Sequence, residues 1–306
     1  MIRTPRLRVA VLLLTIGATS VFALLQASPR REPQRETRQR HLVVGVLGKN
    51  DIPTPSLTAK DFVIREDGIA REVVSVSSAA APTHLVLLVD DSEAMQSLTI
   101  ELRAGLEGFL ERIRSGGQAP AVRLATFGER PNTQVEFTTT PAAITAGVER
   151  IAPRVGSGSM LLEALIETCR DLRTRHAERP VIVAFVNEQG PELSSDTHTE
   201  VINAVKSAGA SLWTVVLQDQ GGQGTSDPAH ERAQVLAEAT AQSGGFNKTI
   251  LSRQGLPPAF QTVATALSSR YELTYVRPDS LIPPTRLDVQ VRDRSLRVLA
   301  SKWIGQ

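Results

Sequence analysis

The chain has 306 residues, a net charge of +2, one cysteine, and 41% hydrophobic against 22% charged side chains. That length allows one sizeable domain with a smaller companion, and the hydrophobic share supports a packed core rather than wholesale disorder. The single cysteine excludes an intramolecular disulfide framework and a cysteine-rich zinc module. The charge is unevenly placed: residues 1–27 and 28–41 each carry +3, which leaves −4 from residue 42 onward. A nucleic-acid reader carries a basic face on its folded part, so no nucleic-acid partner is expected.

Arg3, Arg6 and Arg8 precede an apolar run over residues 9–25. A basic leader followed by an apolar segment is the pattern of export. Residues 1–27 are therefore either a signal peptide, with cleavage near Ala23 or Ala27, or an uncleaved signal anchor. Both place the rest of the chain outside the cytoplasm, secreted or in the periplasm or envelope. Membrane contact is expected only through this segment, if it is retained. Residues 28–41 alternate arginine with Glu, Gln and Pro and bury almost nothing, which is the composition of a flexible basic linker.

Residues 42–80 read as a small β module. Leu42 to Leu47 is a buried-strand run, and Glu66-Asp67-Gly68 between two strand-like segments is a hairpin signal, because glycine tolerates the positive φ of the turn. Over residues 83–270 the pattern changes to strand–helix alternation. The run HLVLLVD at 84–90 is almost wholly apolar, as a central parallel strand covered on both faces would be. Further strands are expected at 121–127, 134–137, 181–186, 211–217 and 248–251. Helices are expected near 102–113, 160–176, 200–208, 228–242 and 258–268. This succession implies a doubly wound, mostly parallel α/β sheet, Rossmann-like in layering, with the β module flanking it. Residues 271–306 return to β and form a C-terminal extension whose strands are expected to pair with the N-terminal module. No internal repeat of solenoid or propeller length is present.

Ligands of open α/β sheets bind beyond the carboxyl ends of the strands. Three loops fall there: Asp90-Asp91-Ser92-Glu93-Ala94-Met95, Gly156-Ser157-Gly158-Ser159, and Asn187-Glu188-Gln189-Gly190. Together they offer a carboxylate, two hydroxyls and an amide, oxygen donors of the kind Mg²⁺ or Ca²⁺ takes.

These segments carry a resemblance. LVLLVDDSEAM resembles the first motif of a von Willebrand factor A (VWFA) domain, in which Asp-x-Ser-x-Ser supplies ligands of a metal-ion-dependent adhesion site. GSGSMLLEAL is similar to the loop holding that family's Thr ligand, and VIVAFVNEQG to the strand that ends in its Asp. LTAKDFVIREDGIAREVVSVS and the YELTYV ending are also similar to bacterial secreted VWFA-related proteins of the acidobacterial type. The resemblance covers about residues 42–306. It implies metal ligation by Asp90, Ser92, Ser159 and Asn187, but with departures: Ala94 stands where a second Ser ligand belongs, Ser159 replaces Thr, and Asn187 replaces Asp. A lost ligand and a lost charge imply a degenerate site that holds Mg²⁺ weakly or not at all. Asp91, Glu93 and Glu188 add negative charge beside it and are candidate partner-contacting residues.

The expected function is an exported, non-catalytic protein–protein interaction or adhesion module whose protein partner lies outside the cytoplasm. The rivals are a structural envelope assembly part with a relic site, and a metal-assisted hydrolase using Asp90 and Glu188. No catalytic or organic-cofactor residue is assigned. Gly156–Ser159 lacks the lysine of a phosphate loop, and no Gly-x-Ser-x-Gly elbow activates a serine. His41, His84, His176, His198 and His230 have no helical pair spacing, and Cys169 falls on the apolar face of its helix. Asn247-Lys248-Thr249 fits a glycosylation pattern, and the glycine-rich stretch at 218–227 is expected as a polar loop beside the same sheet edge.

Overall fold

The computed structural model describes residues 37–116, 119–218, 226–278 and 284–303. The apolar leader, most of the linker and most of the 218–227 loop lie outside the described residues.

The larger sheet is built from β4 to β9, and two unlike faces of one strand show why it forms. In β4 (His84–Val89) Leu85, Leu87 and Val89 enter one core while Val86 and Leu88 enter the other. Period-two alternation with both sets apolar requires a cover on each side. One cover is α1 (Thr99–Arg114) and α2 (Pro141–Arg150), completed by the last helix of the chain, α6 (Leu256–Ser268). The other is α3 (Leu161–Thr174), α4 (His198–Ala208) and α5 (Asp227–Gln234), which continues through a π-helical stretch at Val235–Ala239.

The remaining strands are β5 (Ala121–Thr126), β6 (Asn132–Thr138), β7 (Val181–Asn187), β8 (Ser211–Leu217) and β9 (Asn247–Ile250). They stand in the order β6-β5-β4-β7-β8-β9, parallel except for the edge strand β6. Chain order reverses between β4 and β7, so the ends of these two strands mark the topological switch point. Cys169 is buried on α3, where burial pushes its thiol up to about 12.

The flanking sheet is antiparallel. Its strands are β1 (Thr37–Leu47), β2 (Phe62–Glu66), β3 (Ile69–Ser78), β10 (Tyr271–Pro278), β11 (Leu287–Val291) and β12 (Arg297–Ala300), in the order β11-β2-β3-β10-β1-β12. The tail does pair with the N-terminal strands: β10 lies between β1 and β3, β11 extends β2, and β12 extends β1. The module is thus made from both ends of the described chain. Asp67 (φ 47°) and Gly68 (φ 84°) form the expected hairpin turn. β1 starts at Thr37, so residues 37–41 of the segment read as linker are strand, held by backbone bonds to β10. Leu47 and Leu299 join the larger core, and Asp51 bonds both Lys248 (2.7 Å) and Arg297 (2.5 Å), tying the module to β9.

Two differences from the sequence reading stand out. α2 was not anticipated, because only Ile144, Gly147 and Val148 form its buried stripe. Its start is set by Pro141, whose missing N–H costs nothing in a first turn. The strand at 134–137 is longer than expected and runs antiparallel.

Candidate functional site

Asp90 follows the last residue of β4, at the switch point. Its own N–H donates to Phe185 O (3.2 Å) in β7, so the parallel ladder carries it to the sheet edge. Its carboxylate then joins the two strand ends: Oδ1 accepts the Ser92 N–H (2.9 Å) and Oδ2 accepts the Asn187 N–H (3.2 Å). Burial pushes this carboxyl above the usual carboxylate range, against the hydrogen bonds from Ser92 and Asn187.

Ser92 is fully buried, and its hydroxyl stands beside the Asp90 carboxylate, which it helps to hold ionised. Gly190 lies over it: a Cβ at that position would come within 3.4 Å of Ser92 Oγ and 3.0 Å of the Ala94 Cβ. The backbone of the β7–α4 loop needs a glycine for this close approach. Asn187 turns its amide into the protein, donating from Nδ2 to Ala94 O (3.0 Å) while Oδ1 accepts the Gln189 N–H (3.1 Å).

Ser159 lies in the same edge but bonds elsewhere. The loop before α3 and the loop after β7 are zipped together, with Ser159 N–H on Pro191 O and Leu193 N–H on Ser159 O, both at 2.8 Å. Ser159 Oγ donates to Glu192 Oε2 (2.9 Å). Glu192, wholly buried, also accepts from the Leu161 N–H (3.1 Å), the Ser194 N–H (3.3 Å) and Ser194 Oγ (2.5 Å). It therefore caps the first turn of α3, where an anion is favoured. Burial raises the Glu192 carboxyl, against Ser194, Arg232, Ser159 and the Leu161 N–H. The Arg232 guanidinium, on α5, stands 3.6 Å from Glu192 Oε2 and donates to Gly190 O (3.3 Å) and Glu188 O (3.4 Å).

The structure thus brings Asp90, Ser92 and Asn187 directly together, while the Ser159 side chain bonds Glu192, which Arg232 and Gly190 link to the loop after β7. The three acids expected at the partner surface separate. Asp91 is buried, accepting the Gly128 N–H (2.6 Å) and pairing with Arg154 (2.9 Å), so it does not face solvent. Glu93 is exposed and accepts the Gly156 N–H (3.1 Å). Glu188 is half-buried and lines a small open cavity of about 150 Å³ together with Gln218, Asn247 and Thr249. Among the described residues, no group of three or more His, Cys, Asp or Glu side chains gathers as a metal cluster.

The sequence reading missed Glu192 and Arg232. Arg232 carried a signal: it falls between Ala229 and Leu236 on the buried face of its helix, where a charge needs a partner. The apolar surface was also missed. Seven large hydrophobic residues are exposed among the described residues, and Ile52, Ile69 and Val74 belong to the β module. The other four all lie where chain segments leave or re-enter the C-terminal edge of the parallel sheet. They are Ile100 (82% exposed), Val155 (80%), Leu193 (54%) and Leu251 (61%).

A doubly wound, mostly parallel sheet with interlocked loops at its switch point defines a Rossmann-like domain. The family model for the von Willebrand factor type A domain matches residues 84–243, just over half the chain, and the chain belongs to that family. Solved structures similar to it include proximal thread matrix protein 1 from the mussel byssus (13% identity, TM-score 0.49, covering 62% of this chain and 49% of that one). Others are the VWA domain of SpRpn10 (15%, 0.44, 58% and 94%) and a von Willebrand factor type A protein from Catenulispora acidiphila (11%, 0.48, 83% and 76%). The chain spans about half the length of the byssus protein. No curated protein matches it.

Proposed function

We propose that this protein is an exported, non-catalytic interaction module that binds a protein partner through the C-terminal edge of its parallel sheet. The observation that carries this reading is the placement of exposed apolar side chains. All four large ones of the α/β domain lie on that edge, and Val155 and Leu193 flank the loops that hold Ser159 and Glu192. Exposed apolar side chains placed along one edge of a sheet suit contact with a protein surface. Domains of this family commonly mediate protein–protein interaction.

Export rests on the leader of residues 1–27, outside the described residues. Among the described residues no helix is long and apolar enough to cross a membrane. The likeness to secreted bacterial proteins of the acidobacterial type rests on the quoted sequence segments and is part of the same reading. Adhesion, in an envelope or extracellular setting, is the role that suits such a module.

The side chains at the edge fit a divalent cation poorly. Ala94 offers no side-chain oxygen, Asn187 Oδ1 accepts a backbone N–H, and Ser159 Oγ donates to Glu192. Both Asp90 oxygens accept backbone N–H groups, and the Ser92 hydroxyl stands beside the same carboxylate. Magnesium demands near-octahedral oxygen coordination, and one hydroxyl beside a carboxylate falls short of it. The partner is therefore held by loop shape, apolar contact and hydrogen bonds.

Affinity capture from the native envelope tests the reading, comparing the full chain with Val155→Glu and Leu193→Glu. Both substitutions are at exposed positions, so folding should survive. A charge placed in an apolar contact should lower recovery of a specific partner by at least about tenfold. Undiminished recovery with both variants would move binding away from this edge.

A further inference from the structure

A fold whose binding edge is built around oxygen donors needs positive charge there, because buried carboxylates and converging carbonyls repel one another. At this edge the charge comes from the chain itself. Arg232 reaches in from α5 with its side chain only 4% exposed. Three oxygens surround its guanidinium: Gly190 O at 3.3 Å, Glu188 O at 3.4 Å and Glu192 Oε2 at 3.6 Å. Two of the three are main-chain carbonyls of the loop that follows β7, and that loop also presents Asn187 to Asp90. The third belongs to the carboxylate that receives the Ser159 hydroxyl and caps α3. One cation thus ties together the end of β7, the start of α3 and helix α5.

We propose that the Arg232 guanidinium is the resident cation of this edge, a tethered charge that holds the loops in place and makes them independent of a bound divalent metal. The proposal deepens the partner-binding reading by fixing how the same edge is organised. It also explains why the edge tolerates Ala94 and Asn187. An arginine held in place by its own helix supplies positive charge without six converging oxygens, and an amide at 187 adds no negative charge to be balanced. Unlike a metal, this cation cannot be lost to a chelator or recruited by a partner's carboxylate, so the edge is preformed.

The test is thermal unfolding of the isolated full chain, so its outcome does not depend on whether a partner binds. The chain is first stripped with a chelator and then given MgCl₂ or MnCl₂ at about 5 mM. The wild-type midpoint should move by less than about 1 °C. Arg232→Met leaves Glu192 buried without its counter-ion and should lower the midpoint by roughly 5–15 °C. In that variant the vacated oxygens can accept a free cation, so Mg²⁺ or Mn²⁺ should restore part of the loss. The response should vanish again in Arg232→Met/Glu192→Leu. A saturable rise of the wild type with Mg²⁺, abolished by Ser92→Ala, would overturn the proposal, as would a folded Arg232→Met with no cation response. If Arg232→Met does not fold, Arg232→Lys decides: keeping a tethered charge, it should ignore both cations as the wild type does, and a gained response would refute the idea.

Discussion

Two buried glutamates divide this molecule. In the β module, Glu66 accepts Arg71 Nε at 2.8 Å and the Tyr275 hydroxyl at 2.8 Å, with Arg277 at 3.7 Å. At the sheet edge, Glu192 takes two serine hydroxyls, two backbone N–H groups and Arg232. The chemistry is alike and the settings differ. Glu66 sits beside the core of β1, β2, β10 and β11, with its contacts all within the module. Glu192 belongs to the loops at the switch point of the parallel sheet. A buried ion pair does not by itself mark a site, and neither does an exposed apolar side chain, since Ile69 stands opposite Glu66. Place in the fold does: these loops converge where the strand order reverses.

The sharpest way to break this contrast is to remove Glu66. Glu66→Leu strands two arginines, one of them nearly buried, and should cost about 3–5 kcal/mol in a denaturant titration. Because the bonds of Glu66 all lie within the β module, partner capture per folded molecule should not change. Lost capture at full folding would show that the two regions act as one.

Much of the architecture was legible because it depends on near-neighbour patterning. The apolar run of β4, the Asp-Gly hairpin and the return to β in the tail are all encoded locally. The strand character of residues 37–41 was not, since Arg38, Gln39 and Arg40 are exposed and show no apolar alternation, and their register with β10 is set by a distant stretch of chain. At the edge, the loops bearing Asp90, Ser92, Ser159 and Asn187 could be read from motif spacing. The contacts that close them could not. Glu192 and Arg232 lie 40 positions apart and meet only because α5 packs on the same face as α3. The exposure of Val155 and Leu193 likewise follows from loop conformation, which no periodicity reports.

A smaller effect separates the two regions by pH. The N–H of Arg286, the Thr285 hydroxyl and the Thr285 N–H hold the exposed Asp67 carboxyl below its ordinary value. An acid whose folded value is depressed contributes stability above its unfolded value and loses it as pH falls through the folded one. Asp67→Asn keeps a side chain that accepts the turn's positive φ, so it isolates the charge. The variant should be slightly less stable than wild type at neutral pH, and the gap should close as pH falls through the depressed folded value. A gap that persists in acid would assign the effect to geometry instead of charge.

The smallest expected effect is the most discriminating. Ser159 and Ser92 are both buried hydroxyls at the proposed edge, and each faces a carboxylate: Ser159 donates to Glu192, and Ser92 stands beside Asp90. Ser159→Ala removes a bond to a buried carboxylate and should cost about 1.5–3 kcal/mol. Ser92→Ala removes a hydroxyl that is less well aligned with its carboxylate, so it should cost less than Ser159→Ala. If denaturant midpoints show Ser92→Ala as costly as Ser159→Ala, the two hydroxyls are held equally and the edge is as saturated as the Glu66 cluster. If Ser92→Ala is neutral for folding but weakens partner capture, the contrast between the two regions becomes one between fold and function.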